Sequence, residues 1–326
     1  MKILLTGASG FVGSHILDSL RRRGLDTALL LRPTSNKRFI AAHLPDVEVR
    51  PGSIGDPESL GQAMTGITHV IHCAGTTKAV RMAGFYEANQ VGTRNVVSAV
   101  NGQAGRVQRI VHISSIAAIG PAVPVKPARE EDAPQPVSEY GKSKLAGELE
   151  VRNHCRAEYV ILRPPSVYGP RDAEFLRLFR AVKSHLLPKP NGAQALSMVF
   201  VRDLAEAAVT CLTHPAAAGK TYFVAAREVV TARAMAEGIA AQMNTWTLPL
   251  PLPAALLWPI CLVQELASRL TGKPNVLSLG KFTELRAPGW VCDPTRLERE
   301  TGHTCTTTLK KGIAETLSWY LEHDWL

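Results

Sequence analysis

Three glycines set directly after the first apolar run constrain this chain more than any other feature. Residues 2–5 read as a short strand. Thr6-Gly7-Ala8-Ser9-Gly10-Phe11-Val12-Gly13 follows at once and opens a helix-like stretch over 11–23. Gly7 and Gly10 let the backbone turn tightly and approach a pyrophosphate, and Gly13 lets the helix pack against a sheet. The helix N-terminus, with Ser9, Phe11 and Val12 around it, offers free N–H groups and partial positive charge to the anion. A glycine pattern alone is weak; its place between strand and helix makes it a phosphate cradle, although its spacing is GxxGxxG rather than GxGxxG.

The alternation continues. Residues 27–31, 47–50, 69–72, 109–113 and 159–162 read as strands, and 220–225 offers one more. Helical patterns lie over 57–64, 86–100 and 139–155, then over 175–183, 202–213, 231–243, 254–270 and 309–323. Strands of continuous hydrophobicity separated by helices predict an α/β fold: a Rossmann-type doubly wound parallel sheet. The later, proline-rich part shows few strands and reads as a smaller, mainly helical substrate lobe. The expected division is 1–165 for the dinucleotide-binding domain, with returns near 196–226, and 166–326 for the lobe.

Composition narrows the class. The 326 residues are 45% hydrophobic and 20% charged, as in an ordinary globular protein. Six cysteines are scattered with no CxxC pair, which indicates reduced thiols in a cytoplasmic protein rather than zinc or disulfides. The net charge of +9 suits a phosphate-rich ligand or an anionic membrane surface; no nucleic-acid motif accompanies it. The N-terminal apolar run is too short for a signal peptide. The apolar stretch 248–263 carries four prolines and falls short of the ~20 residues that span a bilayer. It is read as core packing by default; a greasy pocket and peripheral membrane contact stay open.

The residue ending the second strand senses the adenosine ribose, where a carboxylate would select NAD. Here it is Arg32, with Lys37 and Arg38 nearby. A guanidinium suits a 2′-phosphate, so NADP is favoured, with NAD still accommodated. Ser53 and Ile54, ending the third strand, fall where an adenine ring would lie.

Tyr140 and Lys144 are four apart at the head of a predicted helix and share one face. A free phenol has a pKa near 10; a nearby ammonium and the nicotinamide charge are expected to lower it. Ser115, after the fifth strand, is placed to hydrogen-bond a substrate oxygen. Alone, YxxxK is a frequent coincidence; with the cradle and the serine pair it is not. GxSxG and HExxH are absent.

With these motifs in place, the sequence resembles the extended short-chain dehydrogenases/reductases of the NAD-dependent epimerase/dehydratase superfamily over nearly its whole length. The likeness includes His72-Cys73-Ala74-Gly75, the run 89–95, Ser114–Gly120, the run 162–170 and Val201–Ala205. The resemblance implies that Ala74, Gly75 and Asn89 flank the cofactor and that Pro165 and Ser166 lie beside the nicotinamide. Departures narrow the chemistry. Ile116 and Ala117 stand where sugar dehydratases carry an Asp-Glu pair. Leu196 and Ser197 stand where nucleotide-sugar epimerases carry an Arg-Asp pair. The C-terminal third is similar to 3β-hydroxysteroid dehydrogenase-like members. The leading expectation is therefore NADP(H)-dependent interconversion of a secondary alcohol and a ketone on a hydrophobic small molecule. A nucleotide-sugar epimerase and a non-catalytic NADP-sensing interaction protein are the alternatives. A homodimer is the family-based expectation for assembly.

Overall fold

The computed structural model describes residues 1–190, 194–252, 254–272 and 279–326. The chain begins with β1 (Lys2–Thr6), α1 (Phe11–Arg22), β2 (Asp26–Leu31), β3 (Glu48–Pro51), α2 (Pro57–Ala63) and β4 (His69–His72). A helical run follows: α3 (Met82–Tyr86), a π-helical segment Glu87–Val91, and α4 (Gly92–Asn101). Next come β5 (Arg109–Ile113), α5 (Glu139–His154), β6 (Glu158–Arg163), β7 (Ser166–Tyr168), α6 (Phe175–Lys183), β8 (Leu186–Pro190) and β9 (Ala195–Phe200). The remainder is α7 (Val201–Thr213), β10 (Lys220–Phe223), β11 (Val229–Thr231), α8 (Ala232–Gln242), β12 (Leu248–Leu252), α9 (Ala254–Thr271), α10 (Leu279–Arg286), β13 (Gly289–Trp290), α11 (Thr295–Thr301) and α12 (Leu309–Glu322).

Seven strands form a parallel sheet in the order β10-β6-β5-β4-β1-β2-β3. The chain starts mid-sheet, winds outward to β3, then returns beside β1 as β4 and winds the other way. The carboxyl ends of β1 and β4 therefore flank the switch point, where such sheets open a crevice. Successive residues of each strand feed opposite layers. Ile3, Leu5, Leu29 and Val111 meet Ile16 and Leu20 of α1 and Leu204 of α7. Leu4, Ala28, Val70 and Ile110 meet Leu60 of α2 and Val96 and Val100 of α4. Both faces are covered, which is why these strands read as unbroken apolar runs.

The expected return to the sheet is made by α7 and β10, whereas β9 joins a second sheet, β11-β9-β13 with β7 beside β9. A two-stranded ribbon pairs β8 with β12. The later part thus carries more strands than its sequence suggests. They are two to six residues long, too short for a visible alternation. The ribbon contains Pro188, Pro190, Pro249 and Pro251, which argue against a central strand but are tolerated where both strands are edges. The 248–263 stretch is divided between β12 and α9. Among the described residues no helix is long and apolar enough to cross a membrane.

Candidate active site

The cradle is built by backbone crowding. Gly7 has φ +78°, and a Cβ there would lie 2.6 Å from the Ala74 nitrogen, so only glycine lets β1 and β4 end this close together. A Cβ on Gly13 would lie 2.0 Å from the Gly7 carbonyl oxygen. Gly13 therefore makes room for the loop itself, not for the sheet as its spacing suggested. Gly10 caps α1 without a side-chain bond, and the first turn holds no acid. The N–H groups near Ser9, Phe11 and Val12 keep their positive end free of a competing carboxylate, and a pyrophosphate fits there.

Arg32 is exposed at the end of β2, and its guanidinium meets no hydrogen-bond or ionic partner among the described residues. Arg38 is held elsewhere, over Phe39 at 4.3 Å and Trp325 at 4.7 Å. The Ser53 N–H donates to Ser59 Oγ at 3.1 Å, and the Ile54 carbonyl accepts from Asn95 Nδ2 at 2.9 Å. The turn after β3 is thereby fixed against α4.

Beneath the cradle runs a chain of hydrogen bonds that the sequence does not reveal. The Thr93 hydroxyl donates to the Asn89 carbonyl at 2.7 Å, so its oxygen accepts from His72 Nε2 at 3.0 Å. This accounting makes His72 Nδ1 the acceptor for the Thr6 hydroxyl at 2.8 Å, and Thr6 in turn accepts the Ala74 N–H at 3.2 Å. Burial, helped by the Lys144 charge, drops the His72 pKa to about 3, consistent with this neutral tautomer. Asn89 sits in the π segment, a feature often found at functional sites. Its amide accepts the Thr76 N–H at 2.9 Å and donates to the Thr76 carbonyl at 3.0 Å and to Ser143 Oγ at 2.9 Å. Asn89 thus pins the Ala74–Gly75 turn to α5.

Helix α5 begins at Ser138, whose hydroxyl accepts the Gly141 N–H at 3.1 Å and donates to Glu284 of α10 at 2.6 Å. Tyr140 is half-buried, with its ring 6.2 Å from that of Phe85. It packs on the cluster that holds Ile116, Phe223 and Trp290, and Leu196 packs there too. Burial pushes its phenol up to about 12; a hydrogen bond with Ser115 pulls the other way, and the Glu284 and Glu174 charges add to the rise. The protein alone therefore raises this pKa, contrary to the lowering expected from the sequence. Burial is the main reason, and the Lys144 ammonium, which donates to the Ile113 carbonyl at 2.7 Å, does not offset it. Burial brings Lys144 down to about 8, with Cys73 and Glu148 opposing.

Ser115 and Tyr140 are thus brought together, with Lys144 one turn deeper and facing Gly75. Pro165 is buried, and Ser166 enters the second sheet opposite Met198, at the junction of the two sheets. Sequence reasoning missed Glu148, four residues beyond Lys144 on the same helical stripe. It accepts the Ser114 hydroxyl at 2.6 Å and is clamped by Arg163. The i, i+4, i+8 spacing of Tyr140, Lys144 and Glu148 is the signal that could have found it.

A doubly wound sheet with this cradle and this Tyr–Lys helix defines an NAD(P)-dependent enzyme of the extended short-chain dehydrogenase/reductase type. Residues 3–225 match the NAD dependent epimerase/dehydratase family, and the chain belongs to it. It is similar to the ceramide reductase of Caulobacter vibrioides, 30% identical over 99% of this chain and 96% of that one. It is also similar to the UDP-glucose 4-epimerase of Vibrio cholerae, 29% identical over 98% and 95%. The fold matches a crystal structure of Thermus thermophilus UDP-glucose 4-epimerase in complex with NAD, with TM-score 0.76, 24% identity and coverage of 98% and 99%.

Proposed function

We propose that this protein reduces a ketone to a secondary alcohol, or runs the reverse, on an apolar substrate with NADP(H). The observation that carries the reading is the setting of Tyr140: a phenol beside the Ser115 hydroxyl, walled by Phe85 and by the apolar cluster that Leu196 joins. Such walls favour a greasy substrate, and Leu196 stands where nucleotide-sugar epimerases carry the arginine that grips a diphosphate. The ceramide reductase likeness supports the same class.

In this reading the cradle of Gly7, Gly10 and Gly13 holds the pyrophosphate, Arg32 the 2′-phosphate, and Lys144 the sugar next to the nicotinamide. The bound nicotinamide supplies the hydride to the carbonyl carbon. Ser115 orients the substrate oxygen, and Tyr140 gives it the phenolic proton, so one hydride and one proton complete the alcohol. A phenol held un-ionised at neutral pH is the acid that reduction needs. The test is NADPH consumption with long-chain ketones, keto-sphingoid bases and nucleotide sugars. Turnover of the lipid-like ketones is expected. Tightly retained cofactor with nucleotide-sugar isomerisation and no net NADPH loss would instead establish the epimerase reading, which the Vibrio cholerae likeness favours.

A further inference from the structure

Several large apolar side chains are exposed around the β8–β12 ribbon and on α9. In the ribbon, Leu248 pairs with Leu186, and just ahead of the two strands the Trp246 indole stacks on the His185 ring at 4.2 Å. Trp246 is 66% exposed and Leu248 61%; Leu186 is exposed as well. On α9, Cys261 and Ser268 are buried, seven residues apart on one side. The side turned away from them carries Val263, 64% exposed, and Leu270, 88% exposed, and exposed Ile260 lies on the flank. A helix on the surface of a soluble protein shows water its polar face; the described part of α9 shows an apolar one. Apolar patches of this kind mark interaction surfaces.

Charge decides among partners. Residues 177–190 contain four basic residues and no acid, and residues 246–286 contain four basic and two acidic ones. These two segments therefore carry six of the nine net positive charges of the chain. An apolar face with exposed tryptophan, in segments of net basic sequence, matches the acyl boundary and anionic headgroups of a phospholipid surface. No described helix is long and apolar enough to cross a membrane, so the contact is interfacial. The patch also adjoins the proposed chemistry: α9 packs on α10, whose Glu284 accepts the hydroxyl of Ser138, the cap of the Tyr140 helix.

We infer that the β8–β12 ribbon and the outer face of α9 dock the protein onto an anionic bilayer, where an apolar substrate would be met. The docking does not depend on the proposed reaction, and it is tested by binding rather than turnover. The full chain is sedimented with vesicles of phosphatidylcholine alone and of phosphatidylcholine with phosphatidylglycerol. Binding to the anionic vesicles that weakens in high salt is expected. The double variant Val263→Glu/Leu270→Glu should lose at least about tenfold in bound fraction, because two apolar contacts become repelled charges. Trp246→Ser, on the other element, should weaken binding while its thermal unfolding stays that of the parent. This second variant separates lost docking from a damaged α9. Parent protein that stays in the supernatant, or variants that sediment equally well, would overturn the inference. So would a parent dimer that the double variant converts to monomer without any vesicle binding, since a second copy would then be what covers this face.

Discussion

Arg163 donates to the Glu148 carboxylate at 2.9 and 2.7 Å, and both side chains are almost fully shut off from water. The same carboxylate receives Ser114, so it ties α5 to β6 and to the residue before Ser115. Removing one partner of a buried pair strands the other charge, at a cost of about 3–5 kcal/mol. Glu148→Ala should lose stability of that order in denaturant unfolding, and Glu148→Gln less, because its amide oxygen still accepts. An unchanged midpoint in both variants would show that the pair holds nothing together.

Gly13→Ala should fail at the cradle. The added carbon would press on the Gly7 backbone, which has no flexible end to yield. Overpacking of this kind costs roughly 1–3 kcal/mol, and here the loop must open to relieve it. Calorimetry should show NADP binding lost or weakened by at least about tenfold. Parent-like affinity would place the pyrophosphate elsewhere.

Arg32→Ala should weaken NADP far more than NAD. A charge-assisted hydrogen bond contributes about 1.5–3 kcal/mol, or roughly 10- to 100-fold in affinity. Side-by-side titrations of the two cofactors measure the ratio directly. Equal losses for both would assign Arg32 to the adenine rather than to the phosphate.

Tyr140→Phe should keep cofactor binding and lose about 10²- to 10⁴-fold in turnover, the usual size of a general acid's contribution. The pH profile should follow Lys144, whose pKa of about 8 lies well below the phenol's. kcat/KM for reduction should be flat near neutrality and fall above about 8 as the ammonium discharges. Stability carries the same signature with a definite sign. Between about 8 and 10.5 the unfolded chain holds more protons on this lysine than the folded one, so its share of stability rises with pH across that window. Lys144→Met should abolish that rise; a rise that persists would belong to another group.

Asp172 gives the opposite slope. Burial lifts its carboxyl from 3.8 to about 7, against the two backbone N–H groups of Glu174 and Phe175 that it accepts. The folded state then holds the extra proton between those values, so this contribution is complete below 3.8 and lost as pH rises through about 7. Asp172→Asn keeps the accepting oxygen without the charge. Its melting temperature should exceed the parent's at pH 8 by more than at pH 5. An identical difference at both values would mean the carboxyl is not the titrating group.

The glycine run and the strand–helix alternation determined the fold class from sequence alone, and the Tyr140–Lys144 spacing put two side chains on one helical face. These are local signals, written in turn geometry and helical period, and each is complete within a few residues. Tertiary structure alone decided how the groups meet. Residues as distant in sequence as Thr6, His72 and Thr93, or Ser114, Glu148 and Arg163, form their networks only because the parallel strands bring them to one end of the sheet. The direction of the Tyr140 and Lys144 pKa shifts followed from burial, which spacing does not reveal. The short strands of the later part exist through pairing with partners far along the chain, so no local pattern announced them; the apolar stretch 248–263 was legible, but its division between β12 and α9 was not.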